Sequence, residues 1–223
     1  MLQDYIHFLH NLSLNNNKLW FDSHKDHYLE LQKEYEAFVD GMIVEIHKID
    51  NTIQFLTRRE TMFRIYRDAR FSFGRDKTPY KTWISCIFSP NGKKADEPGY
   101  FFRLNGKGEL TVGGGLWTPA PEKLLIVRKN LSIDSKNLEK VLTRSDIIKH
   151  FGQIGDNKVS RPPRGFLKDD PNIELIRQKS ITLIKNIHFI GDYEDLKKEL
   201  IKNYEILYPF ILVLRDLIIE RYE

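Results

Sequence analysis

The stretch "GYFFRLNGKGELTVGGGLW", residues 99–117, holds two runs rich in aromatic and β-branched side chains on either side of an Asn-Gly step. Asparagine and glycine tolerate the positive φ of a tight turn, so the pattern predicts a β-hairpin turning near Asn105 and Gly106. A connection this short joins only antiparallel neighbours, which predicts an antiparallel sheet.

Working outward, "KTWISCIF" (81–88) is β-branched and aromatic, and "FRIYRDARF" (63–71) alternates with a period of two, so both read as strands. Residues 181–189 add one more. The flanks change to a helical period. Leu2, Tyr5, Ile6, Leu9 and Leu12 mark a first helix, and "SLNNN" breaks it. Phe21, Tyr28, Leu31, Tyr35, Phe38, Met42 and Ile46 give a long helix over 18–48 a core-facing stripe. Thr118, Pro119 and Pro121 open a helix that runs to 129, with shorter ones over 136–142 and 146–151. Asp170 and Pro171 start a helix reaching 179. The C-terminus reads as two helices, 192–203 and 205–221, with Pro209 near the start of the second. There is no internal repeat and no clean linker. The expectation is one α+β domain over 1–223: a central antiparallel sheet with an N-terminal helical pair and C-terminal helices packed on it.

A hydrophobic fraction of 41% with 30% charged residues is that of a folded globular chain, not a disordered one. The single cysteine, Cys86, excludes an internal disulfide, fits a reducing compartment and sits in a strand that reads as buried. The N-terminus lacks the basic start and apolar run of a signal peptide, and "YPFILVLRDLII" is too short and too charged to span a bilayer. A cytoplasmic protein without membrane contact is expected. Net charge is +4, and it is local. Residues 58–81 set eight lysines and arginines against three carboxylates, a net +5, so the remainder is slightly acidic.

That basic segment includes "FRIYRDARFSFGRDKTPYK", residues 63–81. As a strand, 63–71 puts Arg64, Tyr66, Asp68 and Arg70 on one face, and Phe63, Ile65, Arg67, Ala69 and Phe71 on the other. An arginine on the apolar face needs a carboxylate, backbone carbonyls or a bound anion beside it. With Gly74 bending the loop, Arg64, Arg70, Lys77, Tyr80 and Lys81 converge on one basic pocket, and guanidinium forks suit phosphate or carboxylate oxygens. Asp68 is then the acid/base candidate, or a clamp on an arginine, and Tyr80 orients the bound anion. The competing reading is a salt-bridge lattice that fixes strand register.

The run resembles the signature of a family of uncharacterised, conserved hypothetical bacterial proteins, R-x-x-R-D-x-R-F followed by D-K-x-P-Y-K. The likeness continues through "NNNKLWFDSHKDHY", "GYFFRL", "GGGLWTPAPE" and "PRGF" in order, nearly the whole chain. It implies no reaction. It singles out Arg64, Arg67, Asp68, Arg70, Asp76, Lys77, Tyr80 and Lys81.

Gly114 and Gly115, before a proline-capped helix, offer bare backbone to a phosphate, or else serve a bulge or close crossing. "RPPRGF" places Arg161 and Arg164 in a rigid loop that could act as a lid. His24 and His27 are one turn apart, but a zinc site wants three or four ligands, and neither a metal nor a cofactor is assigned. No nucleophile elbow or dinucleotide fingerprint is present. The leading reading is a pocket for a phosphorylated or carboxylated small molecule, with catalysis undecided. The alternatives are a nucleic-acid-binding module stacking bases on Tyr66, Phe71 and Tyr100, and a non-catalytic interaction scaffold held by ion pairs.

Overall fold

The 99–117 stretch forms the centre of the sheet. In the computed structural model, which describes residues 1–67, 78–93 and 96–221, β1 (Trp83–Phe88), β2 (Gly99–Asn105), β3 (Glu109–Leu116) and β4 (Ile181–His188) lie side by side in that order. All three pairings are antiparallel. The β2–β3 turn spans 106–108, and the positive φ falls at Gly108 (73°), not at Asn105 or Gly106. The Asn105 side chain explains the difference. Its Oδ1 accepts from the Lys107 and Glu109 amides (2.9 and 3.1 Å), so asparagine braces a three-residue loop that closes on a left-handed glycine. Gly106 serves a close approach instead: a Cβ there would stand 2.3 Å from the His10 backbone nitrogen.

His10 belongs to α1 (Leu2–Leu14), which therefore rests on the hairpin tip. The long helix expected over 18–48 is two, α2 (Lys18–Ser23) and α3 (Lys25–Ile49). Ser23 Oγ and His24 Nδ1 both reach the Trp20 carbonyl at 2.8 Å, and the His24 amide turns to Phe21 instead. Side chains thus take the acceptor that would have continued the ladder.

A short α4 (Arg58–Thr61) leads into residues 62–67, which run extended beside β1 without forming a regular strand. Bridges join Met62 to Cys86 and Tyr66 to Tyr80, so four steps on one side face six on the other. Two residues of the 80–86 segment are bulged out, which breaks the ladder expected over 63–71. Residues 68–71 of that expected strand lie outside the described residues.

Beyond the hairpin come α5 (Pro121–Ile133), α6 (Lys136–Leu142), α7 (Ser145–Phe151), the single-turn α8 (Ile173–Ile176) and α9 (Tyr193–Leu217). The helix expected from Asp170 to 179 is cut to α8. The two C-terminal helices expected over 192–203 and 205–221 are one continuous α9, because Leu196, Leu200, Tyr204, Leu207, Phe210, Ile211 and Leu214 form one buried stripe that runs through Tyr204 and past Pro209. That stripe packs on the inner sheet face, where Cys86, Phe88, Tyr100, Phe102, Leu104, Leu110 and Val112 are fully buried. Each such aliphatic or phenyl side chain contributes about 1.5–3 kcal/mol by leaving water. Among the described residues no helix is long and apolar enough to cross a membrane.

Candidate functional site

Strand alternation that sends Tyr100, Phe102 and Leu104 into the core sends Gly99, Phe101 and Arg103 to the opposite face. Register then assembles rows across the sheet. One is apolar: Ile87, Phe101, Gly113 and Ile184. The next is polar: Ser85, Arg103, Thr111 and Asn186. On the other side of the apolar row lie Gly99, Gly115 and Thr182. A Cβ at Gly113 would stand 2.4 Å from the Leu183 carbonyl of β4 and 3.0 Å from the Phe101 ring, so only glycine fits there.

This outer face carries a cleft of about 650 Å³. Trp117, 55% exposed, forms a wall, with its ring edge-to-face with Phe101 at 5.5 Å. The chain turns sharply after it through Thr118, which holds a left-handed φ of 37°. Asp96 braces that turn by accepting from the Ala120 amide at 2.6 Å. At the other side Phe63 lines the cleft, with Lys81 Nζ 5.2 Å and Lys93 Nζ 5.8 Å from its ring centre. Trp83, two residues along β1 from Ser85, carries Arg67 at 5.5 Å and Arg103 at 5.7 Å. Lys93 Nζ also donates to the Arg59 and Met62 carbonyls, so its ammonium is tied to the backbone, whereas the Arg103 guanidinium is held by the Trp83 ring.

The residues singled out by sequence fall into different places. Arg67 and Lys81 stand at the cleft margin on Trp83 and Phe63. Burial, then the charges of Arg64, Arg67 and Lys93, lowers the Lys81 ammonium pKa, and its Nζ donates to the Arg64 carbonyl at 2.9 Å. The Arg64 side chain is exposed. Gly115 lines the cleft, whereas Gly114 faces α9, with Ile211 and Leu207 closing on it. Tyr80 is buried and stacked on Phe21 at 4.0 Å, burial raises its phenol pKa, and Asn16 holds its backbone at both N and O. Arg164 is exposed in its loop, away from the cleft lining. Asp68, Arg70, Phe71, Asp76 and Lys77 lie outside the described residues. Tyr100, expected as a stacking surface, is a core residue whose hydroxyl donates to Asp50, so no base can reach it. Tyr66 is exposed. Among the described residues no three His, Cys, Asp or Glu side chains gather around a metal position.

Sequence reading missed Arg103, Ser85, Thr111 and Asn186. The period-two pattern of "GYFFRLN" already puts Arg103 outward. The row, however, needs β4, and Thr111 meets Asn186 across 75 residues, its hydroxyl donating to Oδ1 at 2.8 Å.

An antiparallel sheet with helices on one face, and on the other a cleft lined by aromatic rings, Arg103 and Lys93 together with Asp96 and Glu97, makes this an α+β protein. The chain belongs to the DUF2461 family of conserved hypothetical proteins, whose model matches residues 4–212. No curated protein and no solved structure matches it.

Proposed function

We propose that the outer sheet face binds an anionic small molecule carrying a phosphate or carboxylate, with Arg103 as the principal anion contact. Arg67 and Lys81 raise the positive potential at the margin. The observation that carries this reading is the position of Arg103. Its guanidinium rests on Trp83, is exposed within the cleft, and makes no hydrogen bond or ion pair among the described residues. A guanidinium positioned without a protein carboxylate is suited to a ligand oxygen pair. Asp96 and Glu97 at the far end of the same cleft disfavour a long polyanion, so the small ligand is preferred over nucleic acid.

Thermal unfolding across a panel of phosphorylated and carboxylated compounds tests this. A true ligand gives saturable stabilisation, about 2.7 kcal/mol at one hundred times its Kd, and Arg103→Met removes it. Stabilisation by oligonucleotides that grows with their length and collapses with salt overturns the small-molecule reading in favour of a nucleic-acid surface.

A further inference from the structure

The two middle rows of the outer face differ in chemistry and share one cleft, which fixes both the kind of ligand and its direction. The polar row offers donors. Arg103 has its full fork to give. Asn186 spends Oδ1 on Thr111, which leaves its Nδ2 hydrogens to donate, and the Ser85 hydroxyl has no partner among the described residues. About 7 Å away along the strands, the Ile87–Phe101–Gly113–Ile184 row offers only hydrocarbon. The next row, again about 7 Å on, is Gly99, Gly115 and Thr182, and Trp117 rises beside it. The far end is acidic and already engaged: Asp96 accepts from Ala120, and Glu97 accepts both of its bonds from Asn91 Nδ2 (2.8 and 2.9 Å). Lys93, the other cation in the lining, already donates its Nζ to the Arg59 and Met62 carbonyls, so an anion meets its strongest donor at Arg103, and a second anionic group at the other end meets carboxylates.

We infer that the ligand is a one-headed amphiphile: a carboxylate held by Arg103, with a flat or aliphatic hydrophobic body lying over Phe101 and Ile184 towards Trp117. This rests on the anion reading of the cleft and narrows it. Bare phosphate, short acids and molecules with two anionic ends are excluded as good ligands. The apolar rows supply the affinity, since each methylene taken from water tightens binding about three- to fourfold. Arg103 supplies the orientation.

A homologous series of acetate, butyrate, hexanoate and octanoate, with octanol as the uncharged control and inorganic phosphate as the bare anion, separates the two contributions by calorimetry. Octanoate is expected to bind about 80- to 250-fold tighter than butyrate and about tenfold tighter than octanol. Arg103→Met should erase the difference between acid and alcohol while Arg103→Lys retains part of it. Phe101→Ala and Ile184→Ala should flatten the gain per methylene, and Trp117→Phe should remove a ligand-induced fluorescence change. Phosphate or acetate binding as tightly as octanoate, and lost in Arg103→Met, overturns the amphiphile and leaves the anion cleft standing. Equal binding of octanoate and octanol, unchanged in Arg103→Met, overturns the anion reading itself. Absence of binding throughout the series, with wild type folded, overturns both.

Discussion

Asp50 and Arg215, 165 residues apart, meet in a two-pronged ion pair between the end of α3 and the last turn of α9, at 3.0 and 2.8 Å. The Asp50 side chain is 1% exposed and Arg215 15%. Thr52 Oγ donates to Asp50 at 2.6 Å, Tyr100 donates at 3.2 Å, and Arg215 Nε reaches the Pro98 carbonyl at the entrance to β2. One carboxylate thus ties both long helices to the strand that carries Arg103. Burial pushes the Asp50 pKa up, but the Arg215 fork and the Thr52 donors outweigh it and the net shift is downward. Removing one partner strands the other charge in the core, so Arg215→Met should lose about 3–5 kcal/mol by urea unfolding. The pH dependence gives the sign. With a folded pKa below the unfolded value of about 3.9, the pair contributes fully above that value and is lost as pH falls through the folded one. Arg215→Met keeps the burial and the Thr52 donors but loses the fork, so the Asp50 pKa rises relative to wild type, and acidification from pH 7 towards 4 should narrow the gap between them. A gap that widens over that range refutes the assignment.

Cys86 is held by the same core. Its thiol is fully buried, lies 3.1 Å from the Tyr35 hydroxyl, and is pushed up to about 12, chiefly by burial. Thiolate is the reactive form, so at pH 8 the native protein should resist a thiol-specific disulfide reagent, while unfolding in urea should release one equivalent at once. The native rate should rise with added urea in step with the unfolding equilibrium. Stoichiometric labelling of the folded chain within seconds contradicts that burial.

Local signals made most elements legible. The aromatic and β-branched runs in 83–88 and 99–116, the asparagine-glycine turn, the apolar stripes of α1 and α3 and the proline-marked start of α5 are written over a few residues each, and the α+β sheet-and-helix plan follows from them. Residues whose state depends on distant partners were not legible that way. Tyr100 reads as an aromatic available for stacking until α9 and Asp50 cover it. The extended segment 62–67 alternates like a strand, but the bulge that breaks its ladder lies in the partner segment, near Trp83. The basic run at 63–81 drew attention by its density of charge. Arg103, alone among apolar neighbours, did not, because its meaning comes from the register that sets it beside Thr111 and Asn186. Cations mark a site only once the sheet says which way they point.

Pro209 is the clearest case of packing overriding local preference, and it can be measured. It sits inside α9, where it lacks the amide hydrogen that would pair with the Glu205 carbonyl and its ring crowds that carbonyl. A proline in a helix interior is about 3 kcal/mol worse than alanine. The helix tolerates it because Leu207, Phe210 and Ile211 on either side are fully buried, and keeping all three against the sheet requires the chain to stay helical. Proline also stiffens the unfolded chain, which returns about 0.4–1 kcal/mol, and its half-buried ring keeps some contacts that alanine loses. Pro209→Ala should therefore stabilise the protein by about 1–2 kcal/mol. For a chain of this size that raises Tm by roughly 2–8 °C in calorimetry. A lower Tm would mean that the contacts of the Pro209 ring and its stiffening of the unfolded chain outweigh the helix propensity that alanine restores.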